Sequence, residues 1–435
     1  MPANNTQPAT NVINDLKNRG LLYQSTDEGE LAKHLAQPRT LYCGFDPTAD
    51  SLHIGNLVPL LTLRRFQNAG HRPIALVGGA TGMIGDPSFK AQERKLNGDD
   101  VVKGWTDKIR TQVGRFLDLE NPQNGAKVVN NFDWIKDMTV IDFLRDIGKH
   151  FSVNAMINKE AVKNRLEREG VGISFTEFSY ALLQGLDFAE LYNKHNCTVQ
   201  LGGSDQWGNI TAGVDLTRRL HEASVHALTL PLITKADGTK FGKTGTGTVW
   251  LDGSKTSPYA FYQFWLNTAD ADVAKFLKIF TFLPLSEIEN LVAEHSKAPE
   301  NRLAQIRLAQ DVTKLVHGEE GLAQAKHLTE VVFSGEDDKW QRLSETDYEQ
   351  LQQDGLPATR LDEREVPILT AMSTAGLAQS NRQAREFIDA GAVKVNGQQV
   401  PPKAYHHTLD LQNALYKRFS VLQVGKKKTH LVHWS

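Results

Sequence analysis

Thr40-Leu41-Tyr42-Cys43-Gly44-Phe45-Asp46-Pro47-Thr48, followed by Ser51-Leu52-His53-Ile54-Gly55-Asn56, decides the fold. The stretch from Thr40 to Phe45 is a short apolar run that reads as a buried strand, and Asp46-Pro47 ends it with turn chemistry. Beyond Asn56, Leu57, Leu60, Leu61 and Phe66 recur at helical spacing, with Pro59 tolerable in a first turn. Pro73-Ile74-Ala75-Leu76-Val77-Gly78 then repeats the strand pattern. Strand, helix and strand in close succession make a βαβ unit, so a doubly wound α/β sheet is expected from Thr40 to about Leu232.

In such sheets ligands sit beyond the carboxyl ends of the strands, where helix N-termini offer unpaired N–H groups to anions. His53 and Asn56, three apart, would point from the first helical turn at one anion, with the Thr48 hydroxyl nearby. Gly55 would let a nucleotide approach the backbone. The same residues also fit a helix capped by Ser51 that carries a surface histidine. The second strand leads into Gly78-Gly79-Ala80-Thr81-Gly82-Met83-Ile84-Gly85-Asp86-Pro87, which lacks the Gly-x-Gly-x-x-Gly spacing of a nicotinamide site. Asp86 could accept from a ligand ammonium or simply close a turn. Farther on, Lys235 to Gly245 is a doubly basic loop containing Lys240-Phe241-Gly242-Lys243-Thr244. Asp237 stands where a phosphate-cradling Walker loop needs glycine, so this loop is better suited to closing on a polyphosphate from outside. Paired with the His53 segment it points to ATP. Tyr180, Gln184 and Asp187, spaced four and three apart, share one helix face that would line a polar pocket.

The chain of 435 residues is long enough for about two or three domains. Its 40% hydrophobic and 23% charged content is that of a soluble globular protein, and no apolar run approaches membrane-spanning length. The polar N-terminus has no export pattern, and two cysteines, Cys43 and Cys197, cannot build a bridge framework, which points to the cytoplasm. Net charge is -2, but residues 366–435 hold nine Lys/Arg against three acids, +6, leaving -8 elsewhere. A basic module on an acidic body suggests nucleic-acid contact, although a well-solvated basic surface would give the same count. From these shifts we expect a catalytic domain at 1–250, a mainly helical domain at 251–345, a linker at 346–365 and a small basic domain at 366–435. In the last, Asn381 to Ala390 reads as a helix and Val393-Lys394-Val395-Asn396-Gly397 as a hairpin.

Together these segments resemble the class I aminoacyl-tRNA synthetases, and among them the bacterial-type tyrosyl members. His53-Ile54-Gly55-Asn56 is similar to the family's His-Ile-Gly-His signature, and Lys240 to Thr244 to its Lys-Met-Ser-Lys-Ser signature. Tyr42 to Thr48, Thr176-Glu177-Phe178-Ser179-Tyr180 and Gly202-Gly203-Ser204-Asp205-Gln206-Trp207-Gly208-Asn209 resemble the tyrosyl branch. The resemblance implies a Rossmann-like catalytic domain, a helical domain contacting tRNA and a small α+β RNA-binding domain.

It implies a two-step reaction as well. The tyrosine carboxylate attacks the α-phosphate of ATP, pyrophosphate leaves, and the adenylate then acylates the terminal ribose of tRNA(Tyr). Thr48, His53 and Asn56 would act at ATP. Lys240, Lys243 and Thr244 would act at the pyrophosphate, assisted by Lys90 and Arg94. Asp86, Tyr180 and Gln184 would hold the tyrosine ammonium, and Tyr42 with Asp187 its hydroxyl. Gln206, Cys43, Gly44, Asp46, Gly55, Gln200, Gly202 and Asp205 would line the tyrosine and ATP pockets. Arg382, Arg385 and Lys394 would meet RNA. ATP would be a substrate whose Mg²⁺ rides on its phosphates, with no protein metal site and no tightly bound cofactor, and the enzyme would be a homodimer. Asn56 departs from the signature's second histidine, yet an amide can still donate to the ATP ribose. A tryptophanyl enzyme is the near rival, and Tyr42 with Asp187 argues against it, since an indole has one donor and no acceptor for such a pair. A non-catalytic RNA-binding relative is the distant rival, and two chemically intact signatures argue against that.

Overall fold

The structure is a computed structural model that describes residues 12–86, 99–159, 162–163, 166, 172–239, 241–244, 247–334, 336–425 and 428–435. The chain divides into two compact units, one of Met1–Leu251 with Ala269–Pro299 and one of Asp252–Thr268 with Glu300–Ser435.

The first unit is built on strands β1 (Gln24–Ser25), β2 (Thr40–Phe45), β3 (Arg72–Val77), β4 (Lys127–Asn130), β5 (Cys197–Gly203) and β6 (His226–Leu230), in the order β1-β6-β5-β2-β3-β4. All neighbours run parallel except β1, which pairs antiparallel to β6 at the edge. The doubly wound expectation therefore holds, with β2 central and the chain crossing to β3 on one side and β5 on the other. The expected helix is α1 (Leu57–Asn68), whose Leu57, Leu60, Leu61, Leu63 and Phe66 are buried. It stops at Ala69, where Gly70 turns the chain at φ 92°. Helix α2 (Phe175–His195) starts on Ser174, whose hydroxyl accepts from the Glu177 amide at 3.2 Å, and α3 (Trp207–His221) follows β5. Two short strands, β7 (Lys243–Thr244) and β8 (Gly247–Thr248), close the doubly basic loop.

Helices Asp270–Phe280 and Leu285–His295, read with the helical domain, have their contacts in this first unit. The cause is polar. Arg19, paired with Asp15 at 2.8 Å, donates to the carbonyls of Lys278 and Leu283, and Arg65 donates to those of Ile279 and Thr281. Two guanidiniums thus cap carbonyls at the C-terminal end of helix Asp270–Phe280 that would otherwise be orphaned.

At the amino ends of the strands His34 hydrogen-bonds Thr198 at 2.7 Å and lies against the His226 ring, while His71 Nδ1 accepts from the Arg39 amide at 3.2 Å. Burial, reinforced by the Arg39 charge, pulls both imidazoles from 6.5 down to about 4. In the folded state these bases refuse protons that the unfolded chain takes up below pH 6.5. Their contribution is therefore complete above that value and is lost as pH falls toward 4. The thermal midpoint should drop steadily on acidification through this window, and a His71→Asn variant should show a shallower slope in calorimetry.

The second unit combines helices Pro258–Leu266 and Leu303–Phe333, the latter broken at Gly318 (φ 75°, ψ -177°), with a terminal sheet. Strands β9 (Ala358–Leu361), β10 (Glu365–Pro367), β11 (Val393–Val395), β12 (Gln398–Gln399), β13 (Thr408–Asp410), β14 (Phe419–Val424) and β15 (Lys428–Trp434) form a sheet ordered β12-β11-β14-β15-β9 and a separate β10-β13 ribbon. Period-two alternation gives the main sheet two apolar faces. Phe419, Val421 and Leu431 join Tyr259, Leu328, Trp340, Tyr348 and Leu351, while Leu422, Val424, Val432 and Trp434 join Ile368, Met372, Ala384 and Ile388. Residues 346–365, read as a linker, instead carry part of helix Glu345–Gln350 and strand β9, which pairs parallel to β15. Buried Tyr348 and Leu351 hold this stretch down, and its few apolar residues, spaced through a polar run, leave no period to read. The helix Asn381–Asp389 and the β11–β12 hairpin match the reading, with Asn396 at φ 49° and Gly397 at φ 86° in the turn.

Candidate active site

Six side chains along the carboxyl ends of β2, β3 and β4 and on α2 form one hydrogen-bond chain. Tyr180 donates its hydroxyl to Asp46 Oδ2 at 2.7 Å, and Thr81 donates to Asp46 Oδ1 at 2.7 Å. Asn131 Nδ2 reaches both Thr81 Oγ1 at 3.0 Å and Asp187 Oδ2 at 3.1 Å. Trp134 Nε1 completes it on Asp187 Oδ1 at 2.9 Å, and the Ala80 amide fixes the Asn131 carbonyl at 2.8 Å. Gly78 makes this possible, since a Cβ there would lie 1.9 Å from Asp46 Oδ1.

Asp187 is 2% exposed, and burial raises its carboxyl from 3.8 to about 8 against the opposing hydrogen bonds from Asn131 and Trp134. Tyr42, on β2 and 1% exposed, has a buried hydroxyl with no hydrogen-bond partner among the described residues. Burial, and then the Asp187 charge, push its phenol well above the usual range, so it stays protonated. An unpaired buried hydroxyl beside a carboxyl held by donors is costly alone and is relieved by a ligand that donates to one and accepts from the other. A phenol does both.

A second cluster gathers Asp86, Asp205, Gln206 and Asn209. Gln206 Nε2 donates to Asp86 Oδ2 at 2.7 Å and to Asp205 Oδ2 at 3.3 Å, and Asn209 donates to Gln206 at 3.3 Å. Burial raises the Asp205 carboxyl, Gln206 opposes this, and Asp86 adds to it, so the pair favours a cation. Gln184 is half-buried on α2, one turn from buried Tyr180. Gly44 is exposed in mid-sheet with nothing within 4 Å of a Cβ, an opening for a flat ligand, and Gly202 leaves room for Ile210. Burial pushes the Cys43 thiol up to about 12, so it serves as a neutral group and not as a nucleophile. Gln200 is buried on β5, opposite Tyr42 in the sheet register, and its side-chain oxygen has no partner among the described residues. Thr48 is exposed in the turn after β2, its amide on the Asp46 carbonyl at 2.9 Å.

The His53 segment caps itself. His53 Nδ1 accepts from the Gly55 amide at 3.0 Å while Asn56 Oδ1 accepts from the His53 amide at 3.0 Å, a reciprocal box ahead of α1. Ser51 is not the cap, because its hydroxyl is turned to the Leu52 carbonyl at 2.8 Å and to Gln112. Nδ1 as acceptor puts the proton of the neutral ring on Nε2, which makes His53 a donor. The same logic orients Asn56, whose carbonyl is held by the backbone, leaving its NH₂ as the donor end. Gly55 has a local role, since a Cβ would come within 2.9 Å of the His53 ring.

This segment is strapped to the stretch after the basic loop. The Ile54 amide donates to the Val249 carbonyl, the Leu251 amide to the Leu52 carbonyl, both at 2.9 Å, and the His53 ring meets Trp250 edge-on. Gly242, at φ 84°, abuts Ile54 so closely that a Cβ would fall 2.5 Å from its Cγ2. The two signatures are neighbours. Lys90, Arg94 and Lys240 lie outside the described residues, as do the side chains of Lys243 and Thr244.

In the second unit, Arg382 pairs with Glu386 at 3.1 Å, Arg385 lies over the Tyr405 ring at 5.5 Å, and Lys394 holds the Asp337 carboxylate. Sequence reading missed Thr81, Asn131, Trp134 and Trp250 as site residues. Asn131 and Trp134 were within reach, because they follow β4, another parallel strand end, but Lys127-Val128-Val129-Asn130 is too short and polar to announce a strand.

Comparison with known proteins fits this geometry. Residues 34–334 match the model of the class I tRNA synthetases for W and Y, and residues 347–432 that of the tyrosine–tRNA ligase SYY-like C-terminal domain. The tyrosine–tRNA ligase of Aliivibrio salmonicida is 59% identical over 429 residues, 98% of this chain and 99% of that one. That of Escherichia coli O8 is 57% identical over 427 residues, with 98% and 99% covered. A C-terminally truncated mitochondrial tyrosyl-tRNA synthetase from Aspergillus nidulans superposes with a TM-score of 0.67 at 30% identity, covering 74% of this chain and 94% of that one. On these matches the chain belongs to the class I aminoacyl-tRNA synthetases, in the tyrosine–tRNA ligase branch that charges tRNA with tyrosine at the expense of ATP.

Proposed function

We propose that Tyr42 and Asp187 read the substrate hydroxyl, Asp187 accepting from it and Tyr42 donating to it; the unpaired buried Tyr42 hydroxyl carries this reading. Tyr180, Gln184, Asp86 and Gln206 hold the ammonium, which would neutralise the clustered carboxylates. The tyrosine carboxylate then faces the α-phosphate of ATP, lying over Gly44 and Gly202 and bordered by Cys43, Asp46 and Asp205. Catalysis is positioning and charge stabilisation. His53 donates from Nε2, Asn56 from its NH₂ and Thr48 from its hydroxyl. Lys240, Lys243, Lys90 and Arg94 supply positive charge to the leaving pyrophosphate, and Thr244 a hydroxyl donor. Among the described residues no three His, Cys, Asp or Glu side chains cluster as a metal site, and Mg²⁺ would supply charge neutralisation as a passenger on the ATP phosphates.

The enzyme works as a homodimer, a reading supported by the exposed Val140, Ile141, Leu144, Val153 and Phe175. It acts in the cytoplasm, and among the described residues no helix is long and apolar enough to cross a membrane. The helical part of the second unit and its basic terminal domain bind tRNA, with Arg382, Arg385 and Lys394 meeting phosphates. Tyrosine-dependent exchange of pyrophosphate into ATP tests the site. A His53→Ala variant should lose about tenfold in exchange rate, the worth of one charge-assisted hydrogen bond, with tyrosine affinity unchanged. Equal loss in both would refute the assignment.

A further inference from the structure

The basic loop is gripped by a part of the fold with no place in the reading of the site. Phe241 stacks on Phe280 at 5.0 to 5.1 Å from that ring and from Phe276, its interplanar angle to Phe280 being 24° and to Phe276 64°. Phe276 and Phe280 are buried and lie one turn apart on helix Asp270–Phe280, so they form a rigid slot. Two polar ties sit upstream. The Asp272 carboxylate accepts from the Ala236 amide at 2.9 Å, and Lys275 Nζ donates to the Thr234 carbonyl at 2.9 Å. All four helix residues recur on one side of the helix, at 272, 275, 276 and 280. On its other side the loop rests on Ile54 through Gly242, whose carbonyl also accepts from the Val249 amide at 3.2 Å.

We propose that Phe241 is a positioning residue for activation. Seated in the Phe276–Phe280 slot, it fixes the backbone of 241–244 against the His53 segment, so that this stretch meets the phosphates without an ordering cost at each turnover. Two aromatic contacts of this geometry are enough to hold a short loop and weak enough to release it. A one-ångström misplacement of a phosphate-binding group is sufficient to slow a reaction that runs on positioning. This rests on the reading that the loop serves the pyrophosphate.

The test is Phe241→Ala and Phe241→Met in the full chain. Tryptic cleavage at Lys240 and Lys243 of the ligand-free enzyme should quicken about tenfold in the alanine variant, in line with two lost ring contacts. The KM for ATP in pyrophosphate exchange should rise with it, while tyrosine affinity and the thermal midpoint stay near wild type. Methionine, long and polarizable enough to lie between two rings, should restore most of both. Unchanged cleavage overturns the proposal, as does failure of methionine to restore. Faster cleavage with unchanged exchange leaves the anchor standing and overturns the loop's role at the pyrophosphate.

Discussion

Asp187→Ala should cost about 3 kcal/mol in kcat/KM for tyrosine activation, a hundredfold or more, and leave the slow activation of phenylalanine nearly as it is. The asymmetry follows from what each substrate brings. On the proposed reading tyrosine brings its hydroxyl to Tyr42 and Asp187, both nearly fully buried, and without the carboxylate that hydroxyl is buried with one partner missing. Phenylalanine brings none and loses nothing. The variant also strands the donors of Asn131 and Trp134, which now point at Asp187 from 3.1 and 2.9 Å, a cost to the folded protein that is the same whichever amino acid is bound. Pyrophosphate exchange with each amino acid measures the ratio. An unchanged preference for tyrosine would refute the role.

Trp340→Ala should be the most damaging change away from the site. Trp340 is 1% exposed, packs with Tyr348, Phe419 and Leu431, and donates Nε1 to Gln423 at 3.0 Å. Truncating a buried tryptophan costs about 3–5 kcal/mol, and the Gln423 oxygen loses its donor as well. Urea unfolding should show the second unit melting earlier, and tRNA charging should fail at temperatures where tyrosine-dependent exchange survives. Loss of both together would mean that the two units do not unfold separately.

The sequence was most readable where one short segment carries its own chemistry. The β2 strand, its Asp-Pro exit, His53 to Asn56 and the Asn396-Gly397 turn are local patterns, and each sits where it was expected. The chain from Tyr180 through Asp46, Thr81 and Asn131 to Asp187 was only half visible. Its members come from four elements brought together by the strand order β5-β2-β3-β4, and no spacing encodes which strand lies next to which. Residues 346–365 were misread for a related reason, since Tyr348 and Leu351 reveal themselves only against Phe419 and Leu431. The cap at His53 needed coordinates, because Ser51 suits a helix start until it is seen facing Gln112.

The terminal sheet has one more consequence. With a core against each face, it has no bare surface on which bases could lie flat, as they would on an open platform of strands. RNA held at this sheet is met at its rim, by the outer side of helix Asn381–Asp389, by hairpin tips and by edge strands. Contacts of that kind grip a backbone and sense its curvature, and they leave the letters of the message to be read elsewhere.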